Sequence, residues 1–243
     1  MNTSYPLAAA MINQLNRVDV IANNLANANT HGYKQTGMTE GSFNNYLDNI
    51  DKKQEHSKLV QDINVLNNTV PKLNSTFTDG KIGQLVPTSN PLDFALKHTD
   101  TFFKVQAPSG ETMLTRDGAF KIVDNVLVTS ENYPVLNADN EPIVIEEGAE
   151  FINLIGIARS AFNNLEKVGN NNYMIKEQAN VENVVEDNAG FITQGMLEKS
   201  NVNSVSTMVA LIEAHRRFEQ AQKALWSRGE MSSKLLEKIG SNR

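Results

Sequence analysis

Cysteine is absent from this 243-residue chain. Disulfides, Cys-ligated zinc and thiol nucleophiles go with it, and so does every enzyme class built on them. A basic surplus is missing too: 22 Lys and Arg stand against 28 Asp and Glu, a formal charge of -6. Without excess positive charge to neutralise phosphates, nucleic acid is not an expected partner. Strictly apolar runs extend only a handful of residues, short of the roughly 20 a membrane helix needs, so the chain is not expected to span a membrane. The first basic residue is Arg17, and the apolar run Leu7–Ile12 is broken by Asn13, so no cleavable secretory signal is read. The histidines (His31, His56, His98 and His215) are scattered, none with a second at helical ligand spacing. Metalloprotease, phosphate-loop and serine-elbow motifs do not occur. Acid pairs such as Glu146–Glu147 and Glu186–Asp187 fall in polar, loop-like contexts that suit solvated charge. No catalytic residue, metal or cofactor is expected, and the chain reads as a non-enzyme.

What is present belongs to a globular protein. Hydrophobic residues make up 40% and charged residues 21%, enough for one large domain or two small ones. Asparagine is abundant, at 31 residues. Asn2, Asn67 and Asn74 open N-x-Ser/Thr patterns, no more than this composition produces by chance, and they carry no glycosylation reading.

The two ends share one pattern. Near the start, Ala8, Met11, Leu15, Val18, Ala22 and Leu25 alternate spacings of three and four, with Ile12 and Ile21 widening the stripe. This is a heptad seam and predicts a helix over about 4–29, with Gly32 supplying the left-handed exit. Near the other end, Met208, Leu211, His215, Phe218, Gln222, Leu225, Gly229, Ser232, Leu236 and Ile239 repeat the alternation. They predict a helix over about 204–239, with Ser204 as a plausible N-cap. Glu213–Arg217, Glu219–Lys223 and Glu230–Lys234 are spaced to support an exposed opposite face. Both helices are long and terminal, which weakens the ordinary reading that such stripes pack on the protein's own core. His215, Gln222, Gly229 and Ser232 dilute the second seam, as suits a helix touching several partners.

The middle changes period from 3.6 to 2. Leu92, Phe94 and Leu96 alternate with Asp93, Ala95 and Lys97 like a half-buried strand. Short apolar runs follow at Met113–Arg116, Phe120–Val123, Val126–Thr129, Tyr133–Leu136 and Pro142–Ile145, separated by turn chemistry. Asp117–Gly118 reads as a hairpin turn ahead of Phe120. Further strands are predicted at Phe151–Ala158, Tyr173–Lys176 and Phe191–Leu197. Turn signals at this frequency argue an antiparallel β domain rather than βαβ units. The polar stretch 33–80 reads as an extended connector, with a helix conceivable at Asn49–Asn68 through Leu59, Ile63 and Leu66. The expected class is therefore α+β: long N- and C-terminal helices forming a coiled-coil-like inner domain, and a central antiparallel all-β domain. The expected segments are 1–32, 33–80, 81–197 and 198–243.

The string VDVIANNLANANTHGYK at Val18–Lys34 resembles the N-terminal signature of bacterial flagellar axial proteins of the rod and hook class. GMLEKSNVNSVSTMVALIEAHRRFEQAQKAL, Gly195–Leu225, resembles the matching C-terminal motif. NPLDFAL (Asn90–Leu96), TRDGAF (Thr115–Phe120) and LVTSENYPVL (Leu127–Leu136) agree with the same family. Asp100–Thr101–Phe102–Phe103 stands where the family commonly has Gly-x-Gly-Phe-Phe. Length and a compact β domain make a proximal rod member most similar, a distal rod member next and a hook protein third.

The resemblance implies a structural subunit of the basal-body rod, exported by the flagellar type III apparatus without a cleaved signal. It would polymerise with copies of itself and with neighbouring rod proteins into a tube crossing the periplasm and transmitting torque. It also implies an assembly interface on the first helix: Met11, Leu15, Val18, Ile21, Ala22, Asn23, Asn24, Leu25 and Asn27. The matching set toward the C-terminus is Asn201, Asn203, Met208, Leu211, Ile212, His215, Phe218, Leu225 and Leu236. Ala22 and Ala26 would allow close helix approach, and the asparagines would satisfy buried polar contacts. Two alternatives come from other classes: a carbohydrate-binding or hydrolysing periplasmic β domain flanked by oligomerising helices, and a cytoplasmic coiled-coil regulator.

Overall fold

The computed structural model describes residues 4–42, 71–145, 152–169, 171–176, 181–184 and 190–240. The predicted helix at Asn49–Asn68 lies outside the described residues. The fold is α+β, with two helices packed together and central antiparallel sheets. The chain divides into two compact units. One draws on Met1–Leu25, Thr36–Phe77 and Ser204–Arg243, the other on Ala26–Gln35 and Thr78–Asn203.

The helical unit contains α1 (Ser4–Ala26), α2 (Ser204–Gly240) and the two-stranded sheet of β1 (Thr36–Ser42) and β2 (Pro71–Thr78). The strand pair lies inside the stretch expected to be a connector. α1 ends at Ala26, before the predicted stop near Asn29, because the asparagine-rich tail turns on itself. Thr30 donates its amide to the Asn27 carbonyl (3.2 Å) and its hydroxyl to Asn27 Oδ1 (3.2 Å), local bonds that compete with helical ones. α2 begins at Ser204, so Ser204 is already helical and Asn203 occupies the flank expected of the cap. Among the described residues none of the three expected Glu-to-basic pairs forms an ion pair; α2 instead has His215 Nε2 3.5 Å from Glu219 Oε1.

The β unit is built on a six-stranded antiparallel sheet. Its strands are β5 (Thr101–Gln106), β6 (Thr112–Thr115), β9 (Ile157–Arg159), β10 (Leu165–Gly169), β11 (Asn172–Ile175) and β12 (Glu182–Val184), ordered β10-β11-β6-β5-β9-β12. Both faces of its centre are buried. Phe103, Val105, Met113 and Ile157 join one apolar cluster, while Phe102, Leu114, Ala158, Leu165 and Tyr173 form another. Adjacent residues on a strand point to opposite faces, so Phe102 and Phe103 serve separate layers.

Smaller pairs complete the unit: β3 (Leu85–Pro87) with β14 (Met196–Glu198), β4 (Phe94–Leu96) with β13 (Ile192–Gln194), and β7 (Phe120–Val123) with β8 (Val126–Thr129). Of the strand expected to be half-buried, Asp93–Leu96 are all buried, Ala95 and Asp93 included, while Leu92 is half-buried and Lys97 exposed. It sits between core layers rather than at a solvated face. The expected hairpin at Asp117–Gly118 is a crossover, since β6 pairs with β5 and β11 while β7 pairs with β8. Gly118 is needed for a different reason: a Cβ there would lie 1.8 Å from the Phe94 carbonyl oxygen. The true β7–β8 turn is Asp124–Asn125, both with positive φ (50° and 65°), as a two-residue primed hairpin turn requires.

Candidate assembly surface and its anchoring node

α2 carries apolar side chains on opposite sides. Thr207 and Ala214 are buried, and Leu211, Phe218 and Leu225 are half-buried. Their spacing defines one packed stripe. Two residues further along a helix point about 200° apart, at 3.6 residues per turn. Val205, Met208, Val209 and Ile212 therefore face away from that stripe, and they are exposed, Val205 at 76% and Ile212 at 55%. Towards the far end Trp226, Met231, Leu235 and Ile239 are exposed as well.

The expected interface residues thus separate. Met208, Ile212 and His215 are exposed, while Leu211, Phe218 and Leu225 belong to the packed stripe. Leu236 lies on α2 at a position whose side chain falls outside the described residues. On α1, Leu15, Ala22 and Asn23 are exposed and Met11, Val18, Ile21 and Leu25 are half-buried; Asn27, in the turn just beyond the helix, is half-buried too. Asn24 is turned inward: its Oδ1 accepts the Thr36 amide (2.9 Å) and its Nδ2 donates to the Thr36 carbonyl (2.8 Å).

Asn201 is also placed inside the subunit rather than on a helix face. Its Oδ1 accepts the Gln35 amide (2.7 Å), and its Nδ2 donates to the carbonyls of Asp79 (2.8 Å) and Lys81 (3.2 Å). Asp79 in turn donates its amide to the Gln35 carbonyl (2.8 Å). One side chain therefore ties together three of the four places where the chain passes between the two units, near residues 35, 78 and 203. Asn203, two residues on, is exposed.

Beneath Asn201 lies a buried ionic node that the sequence reading did not single out. Lys34 Nζ sits 2.5 Å from Glu198 Oε1 and donates to the Lys81 carbonyl (2.6 Å). Arg116 grips Glu198 Oε2 through Nε (2.9 Å) and Nη2 (2.7 Å), while its Nη1 donates to the carbonyls of His98 and Thr101 (both 2.8 Å). The Gly83 amide supplies Glu198 Oε1 with a further bond (2.8 Å). All three charged side chains are buried. Burial, then the nearby Arg116 charge, pushes Lys34 down to about 8, outweighing the attraction of Glu198. Burial likewise pushes Lys167 down to about 8; its Nζ lies 3.9 Å above the Tyr33 ring. Tyr173 is raised, first by burial, and its hydroxyl has no hydrogen-bond partner among the described residues.

Gly32 fixes how the chain reaches Lys34. Its φ is +67°, its amide donates to the Glu198 carbonyl (2.7 Å), and a Cβ would lie 2.4 Å from the Arg116 carbonyl. It acts six residues beyond the end of α1, so it is the exit of the turn that docks on the β unit rather than the helix cap itself.

Three family descriptions match the chain: "Flagella basal body rod protein" over 5–34, "Flagellar hook protein FlgE/F/G D1 domain" over 98–158, and "Flagellar basal body rod FlgEFG protein C-terminal" over 193–238. The flagellar basal-body rod protein FlgF of Rhizobium meliloti is 30% identical over 93% of this chain and 93% of its own length. The chain belongs to the flagellar basal-body rod protein family. FlgF of Mesorhizobium japonicum is 29% identical over 93% of this chain and 92% of its own, and FlgG of Borreliella burgdorferi 31% over 95% and 96%. The rod-family protein is thus structural rather than enzymatic, and belongs to the motility apparatus. No helix among its described residues is long and apolar enough to cross a membrane. Each matched segment contributes one member of the ionic node: Lys34, Arg116 and Glu198. The local signal was a charged residue inside each motif (HGYK, TRDG, MLEK), which sequence reasoning passed over because charge is exposed by default.

Proposed function

We propose that this rod-family subunit is of the proximal, FlgF type and polymerises through α1 and α2 into the helical drive shaft of the flagellum. The observation that carries the polymer reading is the start of α2, apolar on two opposite sides with only one of them buried. A helix apolar all round is ordinarily enclosed on every side. Two different surfaces that complement each other and recur on every subunit join head to tail, and such heterologous contacts extend into an open helical array where the rotation between subunits does not close a ring. Copies of the same chain and neighbouring rod proteins are the partners this surface fits, with the type III export apparatus as a transient one and the periplasm-crossing rod as the place of assembly. The FlgF relatives and the chain's length favour the proximal position, and the FlgG relative keeps the distal position as the second reading. Labelling the β unit in isolated basal bodies tests both. Density at the membrane-proximal end of the rod supports the proximal assignment, density toward the hook supports the distal one, and absence from the rod overturns the proposal.

A further inference from the structure

The ionic node joins residues that are far apart in the chain, 164 positions between Lys34 and Glu198 and 82 between Arg116 and Glu198. Its members are not equivalent. If residues 26–35 leave, Glu198 and Arg116 remain a neutral, doubly hydrogen-bonded pair, and Glu198 keeps the Gly83 amide. If the Glu198 carboxylate is lost, Lys34 and Arg116 are left as two like charges in a buried site. Removing one partner of a buried charge group costs far more than the group contributes when intact, because the remaining charge is uncompensated.

Further bonds join the two segments around the node. Gly32 bonds to the Glu198 carbonyl, Gln35 to Asn201 Oδ1, and Asn201 donates its amide to the Tyr33 carbonyl (3.3 Å). Residues 196–198, by contrast, are held independently by antiparallel pairing with β3, in the register Met196 to Pro87, Leu197 to Val86 and Glu198 to Leu85. The C-terminal segment is strand-paired to the β unit, whereas residues 26–35 have no strand pairing and are held by single bonds, to residues 198 and 201 and also from Asn171 Nδ2 to the His31 carbonyl (2.9 Å) and from Lys34 Nζ to the Lys81 carbonyl (2.6 Å).

We propose that the node is a one-way lock: residues 26–35 dock on the β unit only once the Glu198 carboxylate is seated, whereas residues 196–198 dock without Lys34. The N-terminal motif is then ordered only in a chain whose C-terminal motif is already in place. A chain that lacks its C-terminal segment cannot present an ordered N-terminal segment, whichever position in the rod the subunit takes.

Residue-level hydrogen exchange on the full-length chain at pH 7 tests this with Glu198→Gln, which keeps the shape and the acceptor for Gly83. The Gly32 and Gln35 amides, whose own acceptors are untouched by the substitution, should exchange at least tenfold faster, while Leu197 and the β5–β6 amides keep their protection. Lys34→Met should leave Leu197 unchanged. The double variant Lys34→Met/Glu198→Gln should recover part of the protection lost at Gly32 and Gln35, since only one buried charge remains. Unchanged exchange at Gly32 in Glu198→Gln overturns the lock. So does an equal loss across residues 26–35, β14 and β5, which would mark a general loss of stability, and so does a double variant less protected than Glu198→Gln alone.

Discussion

Among the described residues five non-glycine residues hold positive φ: Asp124, Asn125, Asn132, Asn140 and Asn171. All are Asp or Asn, the side chains that tolerate the left-handed region best, so part of the asparagine excess serves turns. Gly32 and Gly110 share that conformation but differ in surroundings, for nothing lies within 4 Å of where a Gly110 Cβ would be. Gly110→Ala should therefore cost only the backbone term, roughly 1–2 kcal/mol. Gly32→Ala adds a collision with the Arg116 backbone and should lower the urea midpoint markedly more; equal midpoints in the two variants would contradict the close approach. Gly32→Val should in addition abolish rod assembly, scored as motility. Tyr173 makes the opposite case. Its buried hydroxyl lacks a partner among the described residues, and an unsatisfied buried polar group costs about 1–3 kcal/mol. Tyr173→Phe should raise unfolding free energy by roughly 1 kcal/mol in urea titrations, and a clear loss of stability would reveal a bond to that oxygen.

The docked segment 26–35 brings a pH dependence with it. Lys34 and, from β10, Lys167 have folded values of about 8 against an ordinary 10.5. Between those values the unfolded chain holds protons the folded chain has released, so stability rises with pH from about 8 towards 10 and is flat below. The groups facing Lys34 are Arg116, Glu198 and Asp79. Urea midpoints at pH 7.5, 9 and 10 should climb in the wild type and climb less in Lys34→Met; a flat wild-type profile would contradict the buried charged lysine. On α2 the two faces predict contrasting outcomes. Ile212→Lys, on the exposed face, should leave the monomer's thermal midpoint nearly unchanged and abolish incorporation into basal bodies. Ala214→Lys, on the buried stripe, should lower the midpoint itself, since a buried unpaired charge is strongly unfavourable. Were Ile212→Lys to melt much earlier than wild type, that face would be packing on its own subunit.

Among the described residues, the β unit holds most of the buried apolar core and the helices carry most of the exposed large apolar side chains, although Ile122, Val123, Val144, Leu154, Val168 and Ile175 are exposed on the β unit. The β unit holds two clusters of buried apolar side chains. Along the 37 residues of α2, Thr207 and Ala214 are the buried side chains among those described. A helix gains most of its stability from burying an apolar face rather than from propensity. Hydrogen exchange on a dilute monomer should therefore show slow amides in β5 and β6 and much faster ones in α1 and α2. Polymerisation should slow the helical amides selectively. Equal protection of α2 and β5 in a verified monomer would show that the helices need no neighbours.

The sequence by itself determined both helices to within a few residues, the antiparallel β character of the middle and the family. Those features rest on short-range signals: the three-four spacing of Met11, Leu15 and Val18, the short apolar runs broken by turns such as Asp124–Asn125, and contiguous motifs. It did not reveal β5, because Thr101–Val105 is buried on both faces and even encloses Lys104, whose Nζ bonds to the Ala138 carbonyl (2.9 Å). A strand between two core layers loses the alternation that marks a strand at a solvated face. Nor did it assign inward roles to Asn24 and Asn201 or find Lys34, Arg116 and Glu198, since polar and charged residues are read as solvated until a fold encloses them. Only the tertiary structure decided those roles. Closing a loop of 164 residues depends on the turn at Gly32 and also on the pairing of β14 with β3, which is encoded far from Lys34 in the chain.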